Sequence, residues 1–385
     1  MELSEKDYAY WLFNVEGVGN ASADKLLCSG LSCREVYQMG TKELTGLLSR
    51  KKAECIEKSR YSWDFEAEKK KLEEKGINFV SRIDPEFPEK LKNIPGAPFA
   101  IYVKGSLPNP KVPSVSIVGA RMCSEYGRYM ARQFGRGLAL AGVQVISGMA
   151  RGIDGIAQSA AVEAGGKSFG IMGCGVDICY PPENKPVYDA LLKKGGVISE
   201  YPPGMKPEAK FFPMRNRIIS ALSDVLLVVE ARQKSGTSIT VDTALEQGRE
   251  VLAVPGRVTD RLSDGCNYLI SQGAGVAISV EDVLDRLWNI KGRSGTGDIV
   301  KAPRELFLPD GEKDTDDEMA VNRELTLEEK ILEIVDIIPV STSYIAEELF
   351  KKGENLSMPA LMTTLMDMTC CGKIAQNGAY YRKIA

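Results

Sequence analysis

A parallel α/β sheet is predicted for the middle of this 385-residue chain, and three observations predict it. Short apolar runs of strand length alternate with helical stretches from about residue 76 to about residue 290. One run, Val225-Leu226-Leu227-Val228-Val229, shows no apolar/polar alternation, as expected of a strand buried on both faces. Several runs end at a glycine-bearing loop that opens the next helical stretch, which is the punctuation of repeated βα units. Strands joined by helices form right-handed crossovers, and the sheet is covered on both faces. Ligands of such sheets bind at the carboxyl ends of the strands.

Residues 1–75 read as short helices. Val15-Glu16-Gly17-Val18-Gly19, followed by Ala21 and Leu26-Leu27, has the form of a helix-hairpin-helix. Its glycine turn either offers backbone N–H groups to a phosphate or simply joins two helices of a bundle. In the middle region, 76–290, the run Ser114–Val118 ends at Gly119, before a helix that starts near Ser124. Val143–Ser147 follows, then Gly148 and a helix through Ala164 that stops at Gly165-Gly166, as helix C-termini do. Ser168–Met172, Gly196–Ser199, Val225–Val229 and Val251–Val254 continue the pattern.

From Arg293 the chain turns polar, and Asp310–Glu318 holds six acids and one lysine in nine residues. A disordered acidic linker is therefore expected over 291–323. In the tail, 324–385, three helices are expected at Leu327–Val335, Ser343–Phe350 and Ser357–Met368. Asn377-Gly378 reads as a type I′ turn between Lys373–Gln376 and Ala379–Arg382. Three helices and a hairpin look like a winged helix. Its third helix carries no Lys or Arg, so Met358, Met362, Met366 and Met368 are expected in a core or against a partner rather than on duplex DNA.

Composition limits the chemistry. The chain has no histidine, which excludes Ser-His-Asp and Cys-His catalysis and every His-ligated metal site. Its 49 Lys+Arg against 52 Asp+Glu leave a net charge of −3, so nucleic acid would be held by a local patch and not by bulk charge. Nine cysteines without a C-x-x-C pair suggest a reducing compartment rather than a disulfide scaffold or zinc ribbon. The acidic start, Met1-Glu2-Leu3-Ser4-Glu5, is unlike a signal peptide, and no apolar run reaches ~18 residues. A cytoplasmic protein without membrane insertion is expected.

The strand ends carry Gly119-Ala120-Arg121, Ser147-Gly148-Met149-Ala150-Arg151-Gly152-Ile153-Asp154, Met172-Gly173-Cys174-Gly175 and Ser235-Gly236-Thr237-Ser238. Each glycine can close a tight βα turn or let backbone N–H groups approach an anion. Four such loops on one edge, with Arg or Ser/Thr beside them, favour a groove for phosphates. Neither G-x-G-x-x-G after the first strand nor G-x-x-x-x-G-K-[ST] is present, so neither a nicotinamide cofactor nor ATP is expected. Lys210-Phe211-Phe212-Pro213-Met214-Arg215-Asn216-Arg217 places aromatics among cations. Aromatics stack on bases and cations neutralise the phosphates between them, which suits single-stranded nucleic acid. The arginines also open a helical stretch, where their charge opposes the macrodipole unless an anion is bound.

In order along the chain come Ile117-Val118-Gly119-Ala120-Arg121, Ser147 through Asp154, Tyr180-Pro181, Ser199-Glu200 and Phe212-Pro213-Met214-Arg215-Asn216-Arg217-Ile218-Ile219. Glu230-Ala231, Ser235-Gly236-Thr237 and Val254-Pro255-Gly256 complete the set. The set resembles the DprA/Smf family of bacterial recombination mediators, densely over 76–290. The resemblance implies an extended Rossmann-like domain binding single-stranded DNA, flanked by a SAM-like helical domain and a winged helix. It implies a homodimer that loads RecA recombinase on DNA entering during natural transformation, with single-strand-binding protein a further candidate partner. DNA contacts map to Arg121, Lys210 and Phe212, with Arg215 and Arg217 adjoining. Together with the loops, the expected DNA-binding set is Gly119, Arg121, Ser147, Gly148, Arg151, Gly152, Lys210, Phe212, Arg215, Asn216, Arg217, Ser235, Gly236 and Thr237. No catalytic residue, metal or cofactor is expected.

Two other functions remain in view. A nucleoside-monophosphate phosphoribohydrolase has a glutamate in P-G-G-x-G-T-x-x-E, where Thr240 stands here. A winged-helix transcription regulator would need a cationic recognition helix.

Overall fold

The computed structural model describes residues 3–291, 326–335, 340–351, 353–354, 356–378 and 380–383. Apart from Lys291, the linker expected at 291–323 lies outside them. The chain divides into two compact units, one drawn from 1–123 and 130–302, the other from 124–129 and 303–385.

The first unit is built on a nine-stranded sheet. Its strands are β1 (Ile77–Ser81), β2 (Ala100–Gly105), β3 (Ser114–Val118), β4 (Gln144–Ser147), β5 (Ser168–Met172), β6 (Gly195–Ser199), β7 (Val225–Val228), β8 (Glu250–Ala253) and β9 (Gly275–Val276). Their spatial order is β1-β2-β6-β5-β4-β3-β7-β8-β9. Strands β6 through β9 in that order pair in parallel, as the alternation predicts. The β1–β2 and β2–β6 pairs are antiparallel, which the sequence reading misses. Pro85, Pro88, Pro95 and Pro98 lie between β1 and β2 and leave room only for a four-residue helix, Glu89–Lys92. Without a crossover helix the chain returns antiparallel.

The topology places the site. From β3 the chain builds β4, β5 and β6 on one side, then returns to lay β7 on the other. The loops leaving the carboxyl ends of β3 and β7 therefore diverge and open a crevice, the usual ligand position in such sheets.

The helices of residues 1–75 share a core with the sheet. Trp11, Leu12, Leu26, Leu44 and Ile56 pack in one cluster with Phe79, Phe99, Tyr102 and Leu191. Polar contacts fix the join: the Tyr102 hydroxyl donates to Asn14 at 2.9 Å, and Arg82 pairs with Asp24 at 2.7 Å. The glycine turn read as a helix-hairpin-helix does connect two helices, Glu5–Phe13 and Asn20–Cys28. The second begins against the sheet. Asn20 accepts from the Phe99 N–H at 3.2 Å and donates to Glu200. Glu200 thus ties the first residue of that helix to the end of β6.

The second unit holds helices Leu327–Ile334, Thr342–Lys351 and Met358–Cys370. Its antiparallel sheet has the order β10 (Val340–Ser341), β12 (Tyr380–Lys383), β11 (Ile374–Asn377). Asn377 pairs with Tyr380, so the hairpin turn falls one residue later than expected, with Gly378 at φ +64°. Met368 is in this unit's core with Leu361, Leu365, Ile374 and Tyr381, whereas Met358, Met362 and Met366 are exposed. No helix among the described residues is long and apolar enough to cross a membrane.

Candidate nucleic-acid interface

A cleft of about 920 Å³ opens at the switch point, between the segments 118–122 after β3 and 232–240 after β7. Ala150 and Asp154 beyond β4, Tyr180 beyond β5 and the start of the helix Phe211–Leu222 complete its walls. Of the expected residues, Gly119, Arg121, Phe212, Arg215, Asn216, Ser235, Gly236 and Thr237 are brought together there.

The four glycine loops are not equivalent. In the loop after β4, the Gly148 N–H donates to Asp154 at 3.0 Å and the Met149 N–H donates to Gln158 at 3.1 Å. The loop thus sets its own carboxylate against the Gly148 N–H. Gly152, at φ +72°, is required because a Cβ would collide with the Ala120 carbonyl, and a Cβ on Gly119 would come within 2.8 Å of the Glu230 carbonyl. These glycines let the loops after β3, β4 and β7 pack together. Gly173 has no Cβ against the Phe212 ring, where one would lie 3.0 Å from Cδ1.

The loop after β7 is open. Ser235 is the N-cap of the helix Gly236–Glu246, its hydroxyl has no partner, and no acceptor among the described residues meets the N–H of Gly236 or Thr237. Space beside Gly236 is also empty. Two uncommitted N–H groups, an unpartnered hydroxyl and the positive end of a three-turn helix all suit an anion.

Several expected contacts lie elsewhere. Ser147 is fully buried and its hydroxyl donates to the Ile117 carbonyl at 2.6 Å. Arg217 is buried in a bidentate pair with Glu200, at 2.7 and 2.8 Å, and also donates to the Gly96 carbonyl at 2.8 Å and the Met214 carbonyl at 2.7 Å. Its charge is met by protein and not by an external anion. Arg151 is exposed but pairs with Glu183, and Lys210 pairs with Glu208 at 2.7 Å; neither lines the cleft.

Arg215 forms part of the floor. It is buried, donates to the Gly148 carbonyl at 2.6 Å and to the Ile171 carbonyl, and leaves Nε unpartnered. Burial pulls its pKa down to about 10, while the Asp154 carboxylate opposes that shift, so it stays cationic at neutral pH. Burial pushes the Asp154 carboxyl above the usual carboxylate range, against the pull of Arg215 and of the Gly148 and Ala150 N–H groups.

The rim supplies the free charge. Arg121 and Arg232 are exposed cleft residues, and neither has an ion-pair partner among the described residues. Arg121 also lies 5.7 Å from the centroid of the Phe212 ring. Arg232, Met122 and Tyr180 escape the sequence reading. Arg232 directly follows Glu230-Ala231, and Tyr180 belongs to the Tyr180-Pro181 pair, so their neighbours were the available signal.

Comparisons with known proteins identify the family. The family model described as DNA recombination-mediator protein A matches residues 78–288. The chain is 42% identical over 204 residues to the DNA processing protein DprA of Streptococcus pneumoniae, covering 53% of this chain and 72% of that protein. It is 34% identical over 314 residues to Protein Smf of Escherichia coli, covering 81% and 79%. The X-ray structure of DNA processing protein A from Streptococcus pneumoniae superimposes with a TM-score of 0.65 at 33% identity, over 74% of this chain and 98% of that one.

Proposed function

Because this chain belongs to the DNA recombination-mediator protein A family, also named DprA or Smf, we propose that it binds single-stranded DNA in the cleft between β3 and β7. The observation that carries this reading is the combination at one sheet edge of two unpaired arginines, an open helix N-terminus and aromatic rings. Phosphates take the arginines and the Gly236-Thr237 N–H groups, and bases take the aromatic wall. The reading is one of binding, not catalysis. Thr240 offers a hydroxyl where a phosphoribohydrolase carries its glutamate, and the cleft carboxylate, Asp154, already accepts from its own loop.

With oligo-dT and the full chain, log affinity should fall linearly with log salt, at about −0.7 per phosphate neutralised. Arg121→Ala or Arg232→Ala should weaken binding and flatten that slope by roughly one phosphate contact. A slope near zero, or two arginine variants that bind like the parent, would mean that the strand lies elsewhere.

The protein acts as a homodimer that hands single strands to RecA during natural transformation, displacing single-strand-binding protein, in the cytoplasm and without metal or cofactor. Tyr268, Val276 and Ile278, exposed around edge strand β9, supply an apolar surface for a second copy, whereas Leu269 and Ile270 pack against the sheet core. Light scattering at micromolar concentration checks the dimer. The tail unit is a winged helix whose exposed Met358, Met362 and Met366 meet a protein partner. Filament assembly by RecA on single strands coated with single-strand-binding protein should accelerate when this protein is added; unchanged kinetics would remove the loading role.

A further inference from the structure

Six sulfur side chains fall within residues 358–371, out of 13 methionines and nine cysteines in the whole chain, and four of them share one helix face. Met358, Met362, Met366 and Cys370 recur every fourth residue along the helix Met358–Cys370, and all four are exposed. Met368 is the buried one, in the core of this unit with Leu361 and Leu365. Cys371, also exposed, is the C-cap of the same helix. The helix therefore ends in two adjacent free thiols with a thioether one turn before them.

Helical residues four apart hold their Cβ atoms about 5–6 Å apart, and their side chains lean toward the N-terminus. Cys370 thus leans over the turn that carries Met366, whose thioether has three rotatable bonds with which to meet it. The donor set restricts the ion. Among the described residues no three Cys, Asp or Glu side chains come together, and the chain has no histidine, so the four-ligand cage that zinc takes is not built here. Two thiolates and a thioether are soft donors, and in that number they suit Cu(I). A cation is also favourably placed at the carbonyl end of a helix.

We propose that Cys370, Cys371 and Met366 form a Cu(I) site at the end of the helix Met358–Cys370. Each thiol gives up its proton as its Cu–S bond forms, so two protons leave per ion and no electron moves. The thioether adds a lone pair and releases nothing. The ion takes no part in the strand handling proposed above, and the site does not rest on that reading. Met358 and Met362 lie further along the face and remain available to a protein partner.

The probe is Cu(I) itself, supplied without oxygen to the reduced full chain as its bicinchoninate complex, which loses its colour when the ion is transferred. One equivalent should transfer. The bound ion should shield Cys370 and Cys371 from iodoacetamide, read by peptide mass spectrometry, while Cys28, the other exposed cysteine, stays reactive. Replacing both thiols, Cys370→Ser with Cys371→Ser, should abolish the transfer. Met366→Leu should weaken binding roughly tenfold, as loss of a supporting group at a metal does. These are surface changes, so each variant should melt like the parent. No transfer to the parent, transfer that survives the loss of both thiols, or alkylation of Cys370 and Cys371 unaltered by copper overturns the site. Met366→Leu binding copper as tightly as the parent overturns the three-sulfur assignment.

Discussion

Gly236→Asp should abolish single-strand binding while leaving the protein at least as stable as the parent. Gly236 is the first residue of its helix, its φ is not in the left-handed region, and a Cβ there meets open space. A carboxylate in a first turn interacts favourably with the helix macrodipole, by about 0.3–1 kcal/mol. That carboxylate would occupy the seat proposed for a phosphate. Two unit charges ~5 Å apart at an effective dielectric near 20 repel by roughly 3 kcal/mol, which is a hundredfold or more in affinity. The loop after β4 already shows a carboxylate in such a role, with Asp154 accepting the Gly148 N–H. Gly236→Asn, neutral and nearly isosteric with Asp, should keep most of the affinity. Fluorescence anisotropy with labelled oligo-dT and urea melts check both halves. Gly236→Asp binding within threefold of the parent would show that this helix end is not a phosphate seat.

Glu200→Ala should destabilise the first unit by about 3–5 kcal/mol, because it leaves the Arg217 guanidinium buried without its counter-charge. The two side chains are only 10% and 9% exposed, so solvent cannot replace the carboxylate without local opening. Glu200 also accepts from Asn20, so the same change loosens the start of helix Asn20–Cys28 on the sheet. Glu200→Leu combined with Arg217→Met should recover most of the loss, since an apolar pair of similar volume carries no desolvation cost. The measurement is the urea midpoint at constant m-value. A cost below about 1 kcal/mol for Glu200→Ala, or no recovery in the double variant, would show that the pair is not held dry in solution.

Arg215 and Arg217 show how far the site was legible. Two arginines around an asparagine at a helix start, beside two phenylalanines, read as an anion site, because their charge opposes the macrodipole. In the folded protein Arg217 meets Glu200 at the end of β6, and Arg215 meets two carbonyls with Asp154 nearby. Those partners lie 17 to 67 residues away, beyond any local window. Tyr180 was passed over for the converse reason. A lone aromatic before a proline carries no local sign of exposure, and only the stack on Phe212 places it at the cleft surface.

By itself the sequence determined the parallel sheet, the extent of its central strands, the absence of histidine and the sheet edge that carries the glycine loops. Those properties follow from short-range patterns: an apolar run, a following glycine and a helical stretch constrain one βα unit at a time, and repetition forces the layers. Only the tertiary structure decided which glycine loop is open, which cations are free and which ring faces the solvent. Each of those depends on whether a polar group has found a partner from another element. The glycines after β3 and β4 are there because backbones approach closely, and Gly236 is not, yet all of them are the same letter in the sequence. A donor that already has an acceptor must give up that bond to take an external anion, and burial with pairing is a property of the folded neighbourhood rather than of the residue.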